Sequence, residues 1–302
     1  MTITIGEVTI DRITELDRWP FPRAELFPGI TEADVAAAGL GQHEVDPATG
    51  ELLLSIHTYL VRTPDTTILV DSGNGNGKQR PALPAHHEFD TDYLERLGVA
   101  PGDIDVVVST HLHPDHCGWN TRLAGGEWVP TFPSARYVFS RNEFEQLRAL
   151  AGSAPADPVL ADIARMYADS VEPVVRSGQV ELVDVPHALD SGPAHRVALV
   201  PRPGHTAGHL TVEVTAGPRA ALLTGDLVHH PIQFPVPSLS QAGDADPAEA
   251  AASRKAVFER CADEDVLVLP AHFRPPAPEF VAGRIHRTAD GFRFEWASRT
   301  EP

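Results

Sequence analysis

Two cysteines in 302 residues, Cys117 and Cys261, are too few for a disulfide framework, so an apolar core must carry the fold. No run of lysine or arginine occurs, and 42 acidic against 24 basic residues leave a formal charge of −18. A phosphate backbone or an anionic membrane requires a basic footprint, which this chain lacks. No apolar run approaches the length that crosses a bilayer. The start, MTITIGEVTIDRITELD, has no basic segment followed by an apolar one. The expectation is a soluble, cytoplasmic protein without nucleic-acid or membrane partners. Its oligomeric state is left open, a homodimer being one option. The glycines beside Asn74 and Asn76 do not fall in phosphate-loop order and read as a turn.

What is present is an ordinary globular composition, 42% apolar and 22% charged. Short Val-, Ile- and Leu-rich stretches, bounded by Gly, Pro or Asp, predict strands at 3–10, 52–62, 66–71, 103–110 and 135–140. A second series falls at 179–184, 196–201, 209–215, 219–226 and 265–270. Helices are predicted at 31–40 with Thr31 as N-cap, at 90–98, at 140–150, and at 246–262 with Asp246 as N-cap and Pro247 at the first helical position. Strands alternating with helices, with no repeat and no low-complexity linker, predict one α/β domain over 1–302. It would be a sandwich of two mixed sheets flanked by helices, with strand-rich halves at about 1–150 and 176–302. Between them, at 153–175, Leu160, Ile163, Met166 and Tyr167 recur at helical spacing. That helix reads either as packing on the sandwich or as a cap over an apolar substrate pocket.

The densest chemistry lies in THLHPDHCG, where His111, His113, Asp115 and His116 fall within six positions. Imidazole nitrogens and a carboxylate suit a divalent ion such as zinc. Strand 103–110 delivers this group, and three other strand ends deliver ligand types of the same kind. Strand 196–201 runs into RPGHTAGH with His205, strand 219–224 ends at Gly225-Asp226, and strand 265–269 ends at Pro270-Ala271-His272. Cys117, beside this group, reads as a small buried residue at the turn toward Gly118. His57 reads either as a core histidine or as one facing the site.

HLHPDH, PGHTAGH, TGD and PAH, in that order from about Ile56 to His272, resemble the metallo-β-lactamase superfamily of dinuclear metal hydrolases. The resemblance implies an αββα sandwich holding two divalent ions per chain, zinc being the expected metal. It implies that His111, His113 and His205 hold one ion, that Asp115, His116 and His272 hold the other, and that Asp226 bridges them. It also implies that Asp71, in LVDSG, orients a ligand histidine. Two such ions lower the pKa of a shared water, and the resulting hydroxide attacks an ester, thioester or phosphoester centre. Asp226 or Asp115 then moves the proton to the leaving group.

Within the superfamily, an aspartate at 226 counts against antibiotic hydrolysis, and His113 stands where oxygen-reducing members carry glutamate. GWN at 118–120, FPSARYVFS at 132–140 and GDLVHH at 225–230 resemble the lactonase and methyl-parathion-hydrolase-like branch. The expected substrate is a small lactone or related ester. Thioester or phosphotriester hydrolysis is the alternative within the fold, and a non-catalytic metal-binding sensor or biosynthetic partner the alternative outside catalysis. Lactonases of this branch carry a tyrosine three residues after the bridging aspartate, where this chain has His229. A neutral imidazole there is expected to donate a hydrogen bond to a developing oxyanion. The competing reading turns His229 into the core, with His230 or neither facing the substrate.

Overall fold

A computed structural model describes residues 2–297. Two seven-stranded mixed sheets and a small hairpin are flanked by helices. The first sheet runs, in spatial order, Thr2–Ile5, Val8–Phe21, Leu52–Arg62, Thr67–Val70, Val106–Val108, Arg136–Ser140 and Val180–Val183. Its last four strands are parallel, and all three of Val106–Val108 are buried, as parallel strands covered on both faces should be. The second sheet runs His187–Ser191, Arg196–Pro201, Leu210–Ala216, Arg219–Leu223, Val266–Leu269, Gly283–Arg287 and Phe292–Trp296. Only the Arg219–Leu223 and Val266–Leu269 pair is parallel, and the helix Pro247–Asp263 forms the crossover between them.

The chain forms two compact units. One contains residues 13–15 and 56–185, the other residues 1–12, 16–55 and 186–302. The core of the first gathers Leu60, Leu69, Tyr93, Val107, Phe132, Tyr137, Phe139 and Met166. The core of the second gathers Leu222, Phe234, Val257, Phe258, Val268, Phe273 and Ile285, with the Phe234 and Phe258 rings stacked at 4.4 Å.

Capping follows the sequence closely. Thr31 and Asp34 form a reciprocal capping box on Glu32–Ala38, and the Asp246 carboxylate accepts from Ala248 and Glu249 N–H at 3.0 Å each. Two expectations need correction. The strand expected at 3–10 is a hairpin, because Gly6 takes φ +61° and turns the chain back between Ile5 and Val8. The helix expected at 90–98 is one turn, Tyr93–Arg96, whose Tyr93 is fully buried. A hairpin at Thr121–Ala124 and Glu127–Pro130 went unread, although Gly125-Gly126 supplies its two positive-φ turn residues.

The stretch 153–175 is helical. Pro158–Met166, capped by Asp157, widens into a π-turn at Tyr167–Val171 and continues as Glu172–Arg176. Met166 is buried, and Ile163 and Tyr167 pack against the same core. Leu160 does not join them, being 41% exposed. The π-turn is pinned at Asp169: Arg80 grips its carboxylate through two 2.7 Å bonds, and Lys78 Nζ donates to its carbonyl at 3.0 Å. The C-terminal segment forms strands as far as Trp296; its last five residues, 298–302, lie outside the described residues.

Candidate metal centre

In the unit built on residues 56–185, strand Val106–Val108 delivers one donor set. The chain leaves the strand through Ser109 and Thr110 and turns at Pro114 into a single helical turn, Pro114–Cys117. The His111 ring lies 4.5 Å from that of His113 and 4.1 Å from that of His116. Asp115 Oδ2 is 3.7 Å from His116 Nε2, and His111, Asp115 and His116 are all buried. The four residues predicted from the sequence do converge.

Asp71 organises this set. Its backbone sits at φ +59°, a conformation costly for a non-glycine residue and of the kind held at functional sites. The carboxylate accepts from Thr110 N–H at 2.7 Å and from His116 Nδ1 at 2.9 Å. It also accepts the Thr110 hydroxyl at 3.0 Å, leaving that oxygen to accept from His111 Nδ1 at 3.2 Å. One layer further back, Glu15 is buried and accepts from Asn74 N–H at 2.6 Å and the Trp119 indole at 2.7 Å. Burial pushes its pKa up to about 7. Glu15 thereby ties the 73–76 turn to the segment following the ligand loop, a role no sequence spacing announced.

Cys117 is buried, with its thiol donating to His113 O at 3.2 Å and its pKa pushed up by burial, so it is a packing residue. His57 is also buried and hydrogen-bonded to the Tyr59 hydroxyl at 3.1 Å.

In the other unit a second donor set gathers from three strand ends around Asp226. His272 Nε2 lies 3.0 Å from Asp226 Oδ1, while His205 Nε2 and His229 Nε2 lie 3.3 and 2.9 Å from Oδ2. All four residues are buried. His272 Nδ1 is 3.1 Å from the Ser55 carbonyl, and His205 Nδ1 is 3.0 Å from Asp244 Oδ1 and 2.8 Å from Gln241 Nε2. The Ser55 carbonyl only accepts, so His272 Nδ1 carries the proton and its Nε2 a lone pair. The same argument applies to His116 on Asp71. The His272 Nε2 lone pair faces a carboxylate oxygen at 3.0 Å, which is repulsive unless a cation lies between them. The donor chemistry therefore fits divalent ions.

Asp244 was not read from the sequence. Burial pushes its pKa up, but His205, His229 and Arg254 outweigh this and hold it below the usual carboxylate range. His229 does not stand on an open face: it is 5% exposed, and burial holds its pKa below the ordinary histidine value. His230 points elsewhere, bonding the Glu44 carbonyl through Nε2 at 2.9 Å, and burial lowers its pKa to about 4.

A family model for the metallo-beta-lactamase superfamily matches residues 53–272. The chain belongs to the metallo-beta-lactamase superfamily. The match spans both donor sets, from the strand Leu52–Arg62 to His272. "Probable metallo-hydrolase Rv2300c" of Mycobacterium tuberculosis is 31% identical over 192 residues, 59% of this chain and 58% of that protein. This chain thus spans little more than half the length of that relative. N-acyl homoserine lactonase AiiA of Bacillus thuringiensis subsp. kurstaki is 32% identical over 111 residues, 32% of this chain and 41% of that one. Among solved structures, the hydrolase AbOPH superposes with a TM-score of 0.77 at 23% identity, covering 100% of this chain and 97% of that one. AidC, a dizinc quorum-quenching lactonase, superposes at 0.72 and 21% identity, covering 100% and 98%. At these identities the structural likeness establishes the fold, which is the metallo-beta-lactamase fold expected from the sequence.

Proposed function

We propose that this superfamily member is a dinuclear metal hydrolase that opens a small lactone or cleaves a related ester. His111, His113 and His205 would hold one ion, Asp115, His116 and His272 the other, and Asp226 both. Two divalent ions, zinc being the expected pair, lower the pKa of water and polarise the scissile carbonyl. The observation that carries the reading is the His272 Nε2 lone pair turned toward Asp226 and fixed by the Ser55 carbonyl on Nδ1, with His205 Nε2 3.3 Å from the same carboxylate. Lactonase names among the relatives support the substrate class.

The chain's own groups supply the proton handling. Asp226 or Asp115 would take the proton of the attacking water and return it to the leaving oxygen. His229, neutral because it is buried, donates its Nε2 proton to Asp226 Oδ2 and keeps that oxygen in place. It is therefore coupled to the carboxylate, and the single N–H of the neutral ring is committed to Asp226. The test is turnover on a panel of lactones, aryl esters, thioesters and phosphotriesters, before and after chelation and zinc restoration. Lactone turnover that is lost on chelation and recovered with zinc is expected. Preference for the thioester or phosphotriester would move the substrate, and no turnover on any member would leave a metal-binding protein without hydrolysis.

A further inference from the structure

The motif RPGHTAGH holds two histidines, and only the first has been given a role. The second, His209, is 1% exposed. Its Nδ1 lies 2.9 Å from the Arg202 carbonyl, and its Nε2 lies 2.9 Å from the backbone nitrogen of Asp226. A carbonyl only accepts and a backbone amide only donates, so both ends require one tautomer, with the proton on Nδ1 and a lone pair on Nε2. From this we infer that His209 is a positioning residue that sets the backbone of Asp226 relative to the loop carrying His205. The inference rests on reading those two residues as metal ligands.

Strand register explains why the contact exists. Val212 pairs with Leu223 in the antiparallel ladder of Leu210–Ala216 and Arg219–Leu223. Extending that register three residues outward sets His209 opposite Asp226. The ladder has ended there: Gly225 takes φ +50° and Asp226 leaves extended geometry at φ −88°, ψ 23°. A buried amide that leaves a ladder needs another acceptor, and His209 Nε2 is that acceptor. On its other side His209 closes the loop 202–209, since Arg202 N–H donates to His209 O at 2.9 Å while His209 Nδ1 donates back to Arg202 O. The loop so closed presents His205, whose Nε2 lies 3.3 Å from Asp226 Oδ2. One imidazole thus spans the backbones that carry two donors of the same set.

Two substitutions separate the bonds. In His209→Gln, the side-chain carbonyl can reach the Nε2 position and accept from Asp226, while the bond to Arg202 is lost. In His209→Asn, the donor to Arg202 O is kept and Asp226 is out of reach. Zinc affinity, measured by competition with a chromogenic chelator, should stay near wild type in the Gln variant and weaken roughly 10- to 100-fold in the Asn variant. Metal-free melting temperatures of the two variants should agree. Equal zinc affinity in Asn variant and wild type would overturn the inference. So would losses in both variants that track a lowered metal-free melting temperature.

A variant-free check is long-range ¹⁵N–¹H NMR on the metal-free wild type. It should show His209 with a protonated Nδ1 and an unprotonated Nε2, and the opposite tautomer would refute the role. Wild-type protein that binds no zinc would instead sink the ligand assignment, and the tautomer would still test His209 separately.

Discussion

The two donor sets are built in opposite ways. One is written in six consecutive residues, His111 to His116, on a loop closed by a single helical turn. The other is assembled from His205, Asp226 and His272, which share nothing in sequence but the end of a strand. Their supports differ accordingly. The contiguous set leans on Asp71, which serves His116 directly and His111 through Thr110, with Glu15 behind it. The dispersed set has a separate support for each member: Asp244 for His205, the Ser55 carbonyl for His272, and His209 for the Asp226 backbone. A compact motif can share one support. A dispersed one needs several, and damage to it should be correspondingly local.

The largest expected effect is at Asp226, where the Nε2 atoms of His205 and His272 converge with that of His229. Asp226→Ala should lose bound metal and nearly all turnover, as read by elemental analysis and initial rates. His229→Ala comes next, with turnover lowered roughly 10²-fold while metal content stays at the wild-type value. A fall in melting temperature without a selective kinetic defect would make His229 a core residue. Asp71→Asn and Asp244→Asn should each weaken metal affinity roughly 10- to 100-fold. Asp71→Asn should disturb two ligands and Asp244→Asn one, so the former should lie toward the larger end. The reverse order would break the contrast between shared and separate supports.

Much of this was legible in the sequence because metal chemistry constrains residue type as well as position. The density of HLHPDH, and strand ends falling on His205, Asp226 and His272, marked the donors without any coordinates. Asp71 was legible only through the resemblance of LVDSG to the family pattern. The supports were not. Glu15 sits on Val8–Phe21 among other polar residues, and only the fold turns its carboxylate onto the Asn74 amide. Asp244 lies in a loop, and its closeness to His205 depends on how the chain enters the helix Pro247–Asp263. His209 could have been found by counting the register of its hairpin. The strand His187–Ser191 escaped because HALDS carries too few apolar residues to show a period.

The smallest expected effect is in the pH dependence of stability, where one buried group in each unit pulls the opposite way. His230 has its pKa lowered from 6.5 to about 4, so the folded state needs it neutral. Its contribution is present above 6.5 and is lost as the pH falls toward about 4, up to about 3 kcal/mol. Glu15 is raised from 4.5 to about 7, so the folded state favours its protonated form. Its contribution is present below 4.5 and is lost as the pH rises through about 7. The two slopes oppose across the shared window, and the wild-type melting temperature should change little there. Glu15→Gln should unmask the histidine, so that its melting temperature falls on acidification relative to wild type. Parallel curves for the two proteins would contradict the assignment.

The central claim is that the two donor sets serve one dinuclear hydrolase, and counting metal tests it most directly. Protein purified without chelator should contain close to two divalent ions per chain by elemental analysis, with turnover falling as they are removed. Full turnover with one ion or none would contradict it.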